Sequence, residues 1–255
     1  MTETKTFSAT ANVGAHRHRA FAVVVVAAGS GSRLGFGVPK AQVPVAEKSL
    51  LRWALEGVDA AGVASRLVVT VPAGDSELTA TAREFGAAVV TGGASRADSV
   101  AAALAALPTA PVREGFSDTE PSAVLVHDCA RCFTPGEVFA NVCAALDDGE
   151  EAVIPVLPVV DTIKSVDAEG YVTGTPARSQ LRAVQTPQGF NLATLLGAYE
   201  KAAQKGLAES ITDDAMLAET LGIPVKTVPG SADAFKITTP LDLALAKALY
   251  EKEEK

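Results

Sequence analysis

Cysteine is scarce in this 255-residue chain: only Cys129, Cys132 and Cys143 occur. A small, odd number argues against a disulfide framework and for a reducing, cytoplasmic setting. Basic charge is also short, with 22 lysines and arginines against 30 aspartates and glutamates and a formal net charge of −8. No global field therefore draws nucleic acid or an anionic membrane, and any site for a polyanion must be built locally. No stretch approaches the roughly 20 apolar residues of a membrane-spanning helix, and no internal repeat is evident. HRHRAFAVVVVAAG (16–29) imitates the basic and apolar regions of a secretory leader, but its apolar run is only about ten residues and leads straight into a glycine loop. Residues 1–20, without periodicity, read as a disordered tail.

What the chain does have is apolar bulk, at 48% of residues. That is enough for a full-sized core, so residues 21–255 are expected to form one domain. FAVVVVA (21–27), RLVVTV (66–71), AAVV (87–90), AVLVH (123–127) and AVIPV (152–156) have the unbroken apolarity of parallel strands buried on both faces. Between them, SLLRWALEGVDAAG, DSELTATAREFG, SRADSVAAALAAL and PGEVFANVCAALDDG have the length and spacing of helices. The alternation predicts a doubly wound, mostly parallel α/β sheet, with ligands bound beyond the carboxyl ends of its strands. Residues 158–185 break the rhythm with two alternating arms around DAEGY, which is hairpin chemistry. Such a hairpin projects, either to pair with another subunit or to fold back as a lid.

The segment AAGSGSRLGFGVPK (27–40) follows the first strand directly. Leu34 stands where the dinucleotide fingerprint needs its third glycine, and no Gly-Lys-Ser/Thr completes a P-loop. What remains is a glycine turn whose backbone N–H groups can wrap an anion, flanked by Arg33 and Lys40, as a polyphosphate would require.

AAGxGxRxG followed by PK resembles the nucleotidyltransferases that activate sugar and polyol phosphates with a nucleoside triphosphate. GGASRADSV (92–100), VLVHDCAR (124–131), PVVDTIK (158–164) with QTPQGF (185–190), and ITDDA (211–215) with DAFKITTPLDLALA (233–246) occur in the order found in the 2-C-methyl-D-erythritol 4-phosphate cytidylyltransferase family of the non-mevalonate isoprenoid pathway. The resemblance spans about residues 21–250. It implies a Rossmann-like nucleotidyltransferase fold, CTP and a polyol phosphate as substrates, Mg²⁺ between the phosphates, and a homodimer formed through the arm. Relatives acting on other polyol phosphates such as ribitol 5-phosphate share the motifs, as would a non-catalytic nucleotide-binding relative.

Attack of one phosphate on the α-phosphorus of CTP joins two anions, so catalysis rests on positioning and charge neutralisation. The resemblance gives Arg33 and Lys40 the triphosphate, with Lys236, in the strand-like FKIT, on the α-phosphate; a lysine there could also simply snorkel to the surface. It assigns cytosine to Gly92, Gly93, Ser99 and the backbone at Ala27 and Ala28, within the turn that includes Gly29 and Gly31. It assigns the acceptor to Asp128, Arg131, Thr162, Arg178 and Thr212, with Asp128 also near the metal. Ala94, Cys129 and Cys132 depart from the family pattern, which often has an acidic residue at the first and a small residue and a proline at the others. Arg96 and Asp98 also read as a solvated helix start, Thr212 as a helix cap, and Cys129 with Cys132 as a redox or half-zinc pair, though no second cysteine pair exists and His16 and His18 lie in the tail.

Overall fold

The computed structural model describes residues 21–31, 34–205 and 213–250. The proposed tail and two proposed site residues, Arg33 and Thr212, lie outside the described residues.

Strand β1 (Phe21–Val26) is a run of valines, and valine's branched Cβ favours the extended backbone. Its side chains alternate between two cores. Phe21, Val23 and Val25 meet α1 (Leu50–Ala61), α2 (Ser76–Glu84), α4 (Gly136–Asp147) and α7 (Pro240–Tyr250), whereas Ala22 and Val24 meet α3 (Arg96–Ala106), α5 (Leu192–Lys205) and α6 (Asp214–Thr220). Helices on both faces are what an unbroken apolar strand demands. The helices carry matching stripes: Leu50, Leu51, Ala54, Leu55 and Val58 of α1 are all buried, and Ser49 caps the helix by accepting from the Arg52 N–H at 3.2 Å.

β1 pairs in parallel with β4 (Ala64–Val71) on one side and β6 (Ala123–Asp128) on the other, and β5 (Ala88–Thr91) extends the sheet beyond β4. On the far side β11 (Gln188–Asn191) runs antiparallel to both β6 and β7 (Ala152–Pro158), while β12 (Lys226–Pro229) pairs in parallel with β7. The architecture is thus the doubly wound, mostly parallel α/β sheet expected from the sequence, with one reversed position.

That position is shared by β10 (Arg182–Val184), which continues the line of β11 against β7. Between β7 and β10 the chain leaves the sheet as the arm, whose two-stranded tip pairs β8 (Ser165–Val166) with β9 (Val172–Gly174). Its turn closes as DAEGY suggests: the Asp167 carboxylate accepts from the Tyr171 N–H at 2.8 Å. The arm has no core of its own, and Val160, Tyr171 and Val172 stand 78%, 74% and 60% exposed. A short hairpin, β2 (Pro44–Val45) with β3 (Lys48–Ser49), precedes α1. Among the described residues no helix is long and apolar enough to cross a membrane.

Phe235–Thr238 forms no strand, contrary to the expectation for FKIT. The Ile237 N–H goes to the Ala130 carbonyl at 2.9 Å, while Thr238 and Thr239 donate to the Asp242 carboxylate at 2.8 and 2.7 Å to start α7. With those donors taken by a loop and a helix start, the backbone cannot enter a ladder.

Candidate active site

A cleft of about 520 Å³ opens at the carboxyl ends of β1, β5 and β6. The glycine turn forms one wall. Gly31 has φ +68°, and a Cβ there would lie 2.8 Å from the Lys40 nitrogen, so only glycine lets the two segments touch. The Lys40 N–H in turn donates to the Gly29 carbonyl at 3.2 Å, which sets Lys40 on the cleft beside the turn.

The opposite wall is neutral. A Cβ on Gly92 would sit 2.2 Å from the Ala28 Cβ, so these two turns also meet only because one residue lacks a side chain. Ser99 Oγ accepts from the Gly93 N–H at 3.1 Å and donates to the Ser95 carbonyl at 2.9 Å. With its one proton committed, that hydroxyl has only a lone pair left to offer, which suits an amine donor. The Ala27 N–H is taken by Thr70 at 3.0 Å, so a ligand can use only the carbonyl of that peptide.

The floor is charged. Asp128 is held between Arg96 Nε at 3.1 Å and Lys236 Nζ at 2.7 Å. Burial alone would raise its pKa, but the two cations outweigh burial and hold the carboxyl far below the usual range. Arg96 continues to Asp214 at 2.7 Å, and Asp214, fully buried, accepts from the Tyr199 hydroxyl at 2.6 Å. Arg96 therefore stays protonated: burial opposes its charge, and the two carboxylates more than compensate. Among the described residues that line the cleft, three basic side chains, Lys40, Arg96 and Lys236, face one carboxylate, that of Asp128. A chain of net charge −8 has concentrated cations in one concave place.

A model of the 2-C-methyl-D-erythritol 4-phosphate cytidylyltransferase family matches residues 21–252. The protein of that name from Nocardia farcinica is 49% identical over 222 residues, covering 86% of this chain and 89% of its own. A crystal structure of the enzyme so named from Thermus thermophilus superimposes with a TM-score of 0.72 at 38% identity, covering 90% of this chain and 98% of that one. The 4-diphosphocytidyl-2C-methyl-D-erythritol synthase structure from Anaerococcus prevotii gives 0.76 at 27% identity, over 91% and 98%. The chain belongs to the 2-C-methyl-D-erythritol 4-phosphate cytidylyltransferase family.

Of the residues that the family pattern singles out, Ala27, Ala28, Gly29, Gly31, Lys40, Gly93, Ser99, Asp128 and Lys236 line the cleft, and Gly92 packs directly behind it. Lys236 does not merely snorkel, since its ammonium is tied to Asp128. Arg131 is not a lining residue. Its guanidinium donates to the Ala234 carbonyl at 2.7 Å and the Val184 carbonyl at 2.9 Å, clamping the segment before Lys236 to the root of the arm. Thr162 and Arg178 are exposed on the arm and do not line the cleft of their own chain; Arg178 donates to the Val160 carbonyl at 2.7 Å.

The solvated reading of SRADSV holds for one of its two charges only. Asp98 completes a capping box with Ser95, but Arg96 is the central strut of the cleft floor. In ITDDA the helix cap is Asp213, which accepts from the Met216 N–H at 2.8 Å. Thr186, which sequence reasoning passed over, accepts from the Asp128 N–H at 3.0 Å and pairs with His127 Nδ1 at 3.0 Å. Burial pushes His127 down to about 4, so the ring is neutral and can accept the threonine proton. The cysteines are free and buried; burial pushes the Cys129 thiol up to about 12 and Cys132 well above its ordinary value, which suits packing and not redox chemistry. Among the described residues no cluster of three or more ligating side chains forms a metal site.

Proposed function

We infer that this chain transfers the cytidylyl group of CTP to 2-C-methyl-D-erythritol 4-phosphate, releasing pyrophosphate and 4-diphosphocytidyl-2-C-methyl-D-erythritol for isoprenoid precursor synthesis. The observation that carries the reading is the pairing, in one cleft, of a neutral base-sized wall at Gly93 and Ser99 with a cationic floor and loop at Lys40, Arg96 and Lys236. The acceptor phosphate attacks the α-phosphorus in line, and Lys40 and Lys236 oppose the charge that builds on its oxygens. Arg33 belongs to the same phosphate grip by the family pattern.

A divalent cation such as Mg²⁺ fits the donor set. It needs few protein ligands when substrate oxygens and water complete its shell, and Asp128 is the carboxylate on the cleft that would hold it. Bound there, it would neutralise phosphate charge.

The arm reaches out of its own chain, with apolar residues exposed along it and Arg178 at its base. A second copy of this chain is the surface on which it would dock, so that Thr162 and Arg178 complete the acceptor-phosphate site of the neighbour. Three buried, unpaired cysteines fit a cytoplasmic enzyme.

The test is pyrophosphate release measured with four nucleoside triphosphates crossed against several polyol phosphates. CTP with 2-C-methyl-D-erythritol 4-phosphate should dominate kcat/KM; dominance by ribitol 5-phosphate would overturn the acceptor, and no turnover with any pair would overturn the activity. For the arm, a Lys40→Ala protein is mixed with an Arg178→Ala protein. A heterodimer rebuilds one intact pocket, so activity should rise above either parent, and no rise after proven subunit exchange would assign the arm to its own chain.

A further inference from the structure

Cys129 and Ala130 line the cleft, while Cys132, Phe133 and Thr134 line a second cavity of about 290 Å³, so the segment 129–134 is a wall of both. The second cavity lies against α1, between Trp53, Gly57 and Ala60. Apart from the Cys132 thiol, its polar side chains are already paired. Trp53 Nε1 donates to the Val45 carbonyl at 2.8 Å, Thr134 Oγ1 donates to the Arg131 carbonyl at 2.7 Å, and Lys48 meets Glu56 at 2.8 Å. What is left for an occupant is the open side of two aromatic rings, Trp53, which carries the Lys48 ammonium 4.6 Å from its centroid, and Phe133.

Those rings also connect to the chemistry. The Phe133 ring centroid is 5.2 Å from that of Trp53, stacks on Tyr250 at 3.7 Å with planes 4° apart, and lies 6.3 Å from Phe235. Phe235 immediately precedes Lys236, whose ammonium holds Asp128, and the next residue, Ile237, is pinned to the Ala130 carbonyl.

We propose that this cavity binds a small, uncharged, planar aromatic molecule, and that binding displaces Phe133 and, through Phe235, moves Lys236. The size sits at the lower end of ligand pockets, which limits the occupant to one or two rings. Ring-on-ring packing favours an aromatic body, and a charged group would lose water with no unpaired side chain but a thiol to receive it. The coupling half of the proposal rests on the catalytic reading of Lys236, whereas the binding half does not.

Trp53 is the only tryptophan in the chain, so its fluorescence reads the cavity alone. The full chain is titrated with 3-nitrobenzamide, a neutral aryl quencher, and pyrophosphate release is followed in parallel. Saturable quenching is expected with a Kd on the order of 0.1–1 mM for a fragment of this size, with kcat falling about fivefold at saturation. Gly57→Leu projects a side chain into the cavity from a position where a Cβ meets nothing closer than the Thr134 carbonyl at 3.6 Å. Ala60→Phe narrows the cavity from an exposed helix position, and serves if Gly57→Leu fails to fold. Both should abolish the saturable quenching and the effect on kcat. Linear, collisional quenching of the unaltered chain, or saturable quenching that survives in a folded variant, overturns the site. Saturable binding with unchanged kcat overturns the coupling, and a chain that binds the probe but turns over no substrate would fail the functional reading and not the site.

Discussion

Replacing Asp128 with asparagine should destabilise the fold as well as slow the reaction, and the size of the loss follows from its partners. The carboxylate is 12% exposed and sits between Lys236, 43% exposed, and Arg96, 22% exposed. Removing one member of a buried ion pair costs about 3–5 kcal/mol, because the other charge is left without compensation. Here Lys236 can turn toward water and Arg96 keeps Asp214, so the lower end applies, about 3 kcal/mol. For a chain of this size that corresponds to a fall in Tm of roughly 6–12 °C. The pH dependence has a definite sign. Arg96 and Lys236 outweigh burial and depress the Asp128 pKa, so its contribution is complete above the unfolded carboxyl value of about 3.9 and is lost as pH falls toward the folded value. Thermal melts at pH 7, 5 and 3.5 should show a constant gap between the parent and Asp128→Asn at the first two and a smaller gap at the third. Adding Lys236→Met to the variant removes a cation that the carboxylate held, without touching the Arg96–Asp214 pair, so the two costs should not add. A Tm change under about 2 °C at pH 7, or a gap that widens with acid, would refute the reasoning.

Lys40→Ala and Lys236→Ala should each lower kcat by about 10²-fold or more, as loss of one preorganised donor does; near-parental turnover in either removes its role. Gly31→Ala forces a side chain into a left-handed backbone and against Lys40, at a strain of about 1–2 kcal/mol, and should raise KM for CTP; an unchanged KM would remove the turn from the nucleotide site. Cys129→Ala with Cys132→Pro should leave activity within a few fold and the purified protein without zinc by elemental analysis. The native Cys129 thiol, pushed up to about 12, should resist iodoacetamide at pH 8, since its thiolate fraction is roughly 10³-fold smaller than that of an ordinary thiol; rapid labelling of the folded chain would contradict its burial.

The parts legible in the sequence are those whose cause is local. FAVVVVA was bound to be a doubly buried strand because alternate valines needed two cores, and the structure supplies one on each face. The hairpin turn at DAEGY is likewise chemistry within five residues. Local pattern is silent where partners are distant. Arg96 reads as a helix start because its neighbours Ser95 and Asp98 are a capping box, yet its carboxylate partners lie 32 and 118 residues further along the chain. Phe235–Thr238 has strand composition, but its backbone donors are claimed by Ala130 and Asp242, which no periodicity reveals. Arg131 belongs to a motif associated with substrate, while its donors go to two main-chain carbonyls, 53 and 103 residues away.

The arm enters and leaves the sheet at one rung, where Arg182 pairs with Pro158. Residues 159–181 are therefore a detachable cassette: excising them and joining the rung with a tight turn would leave every other strand pairing in place, since no other ladder passes through that stretch except the arm's own. Insertions at such a point add only slowly growing loop-closure entropy to folding. The arm can for that reason be varied, lengthened or transplanted between relatives while the cleft, held by β1, β5 and β6 on the other part of the sheet, keeps its geometry.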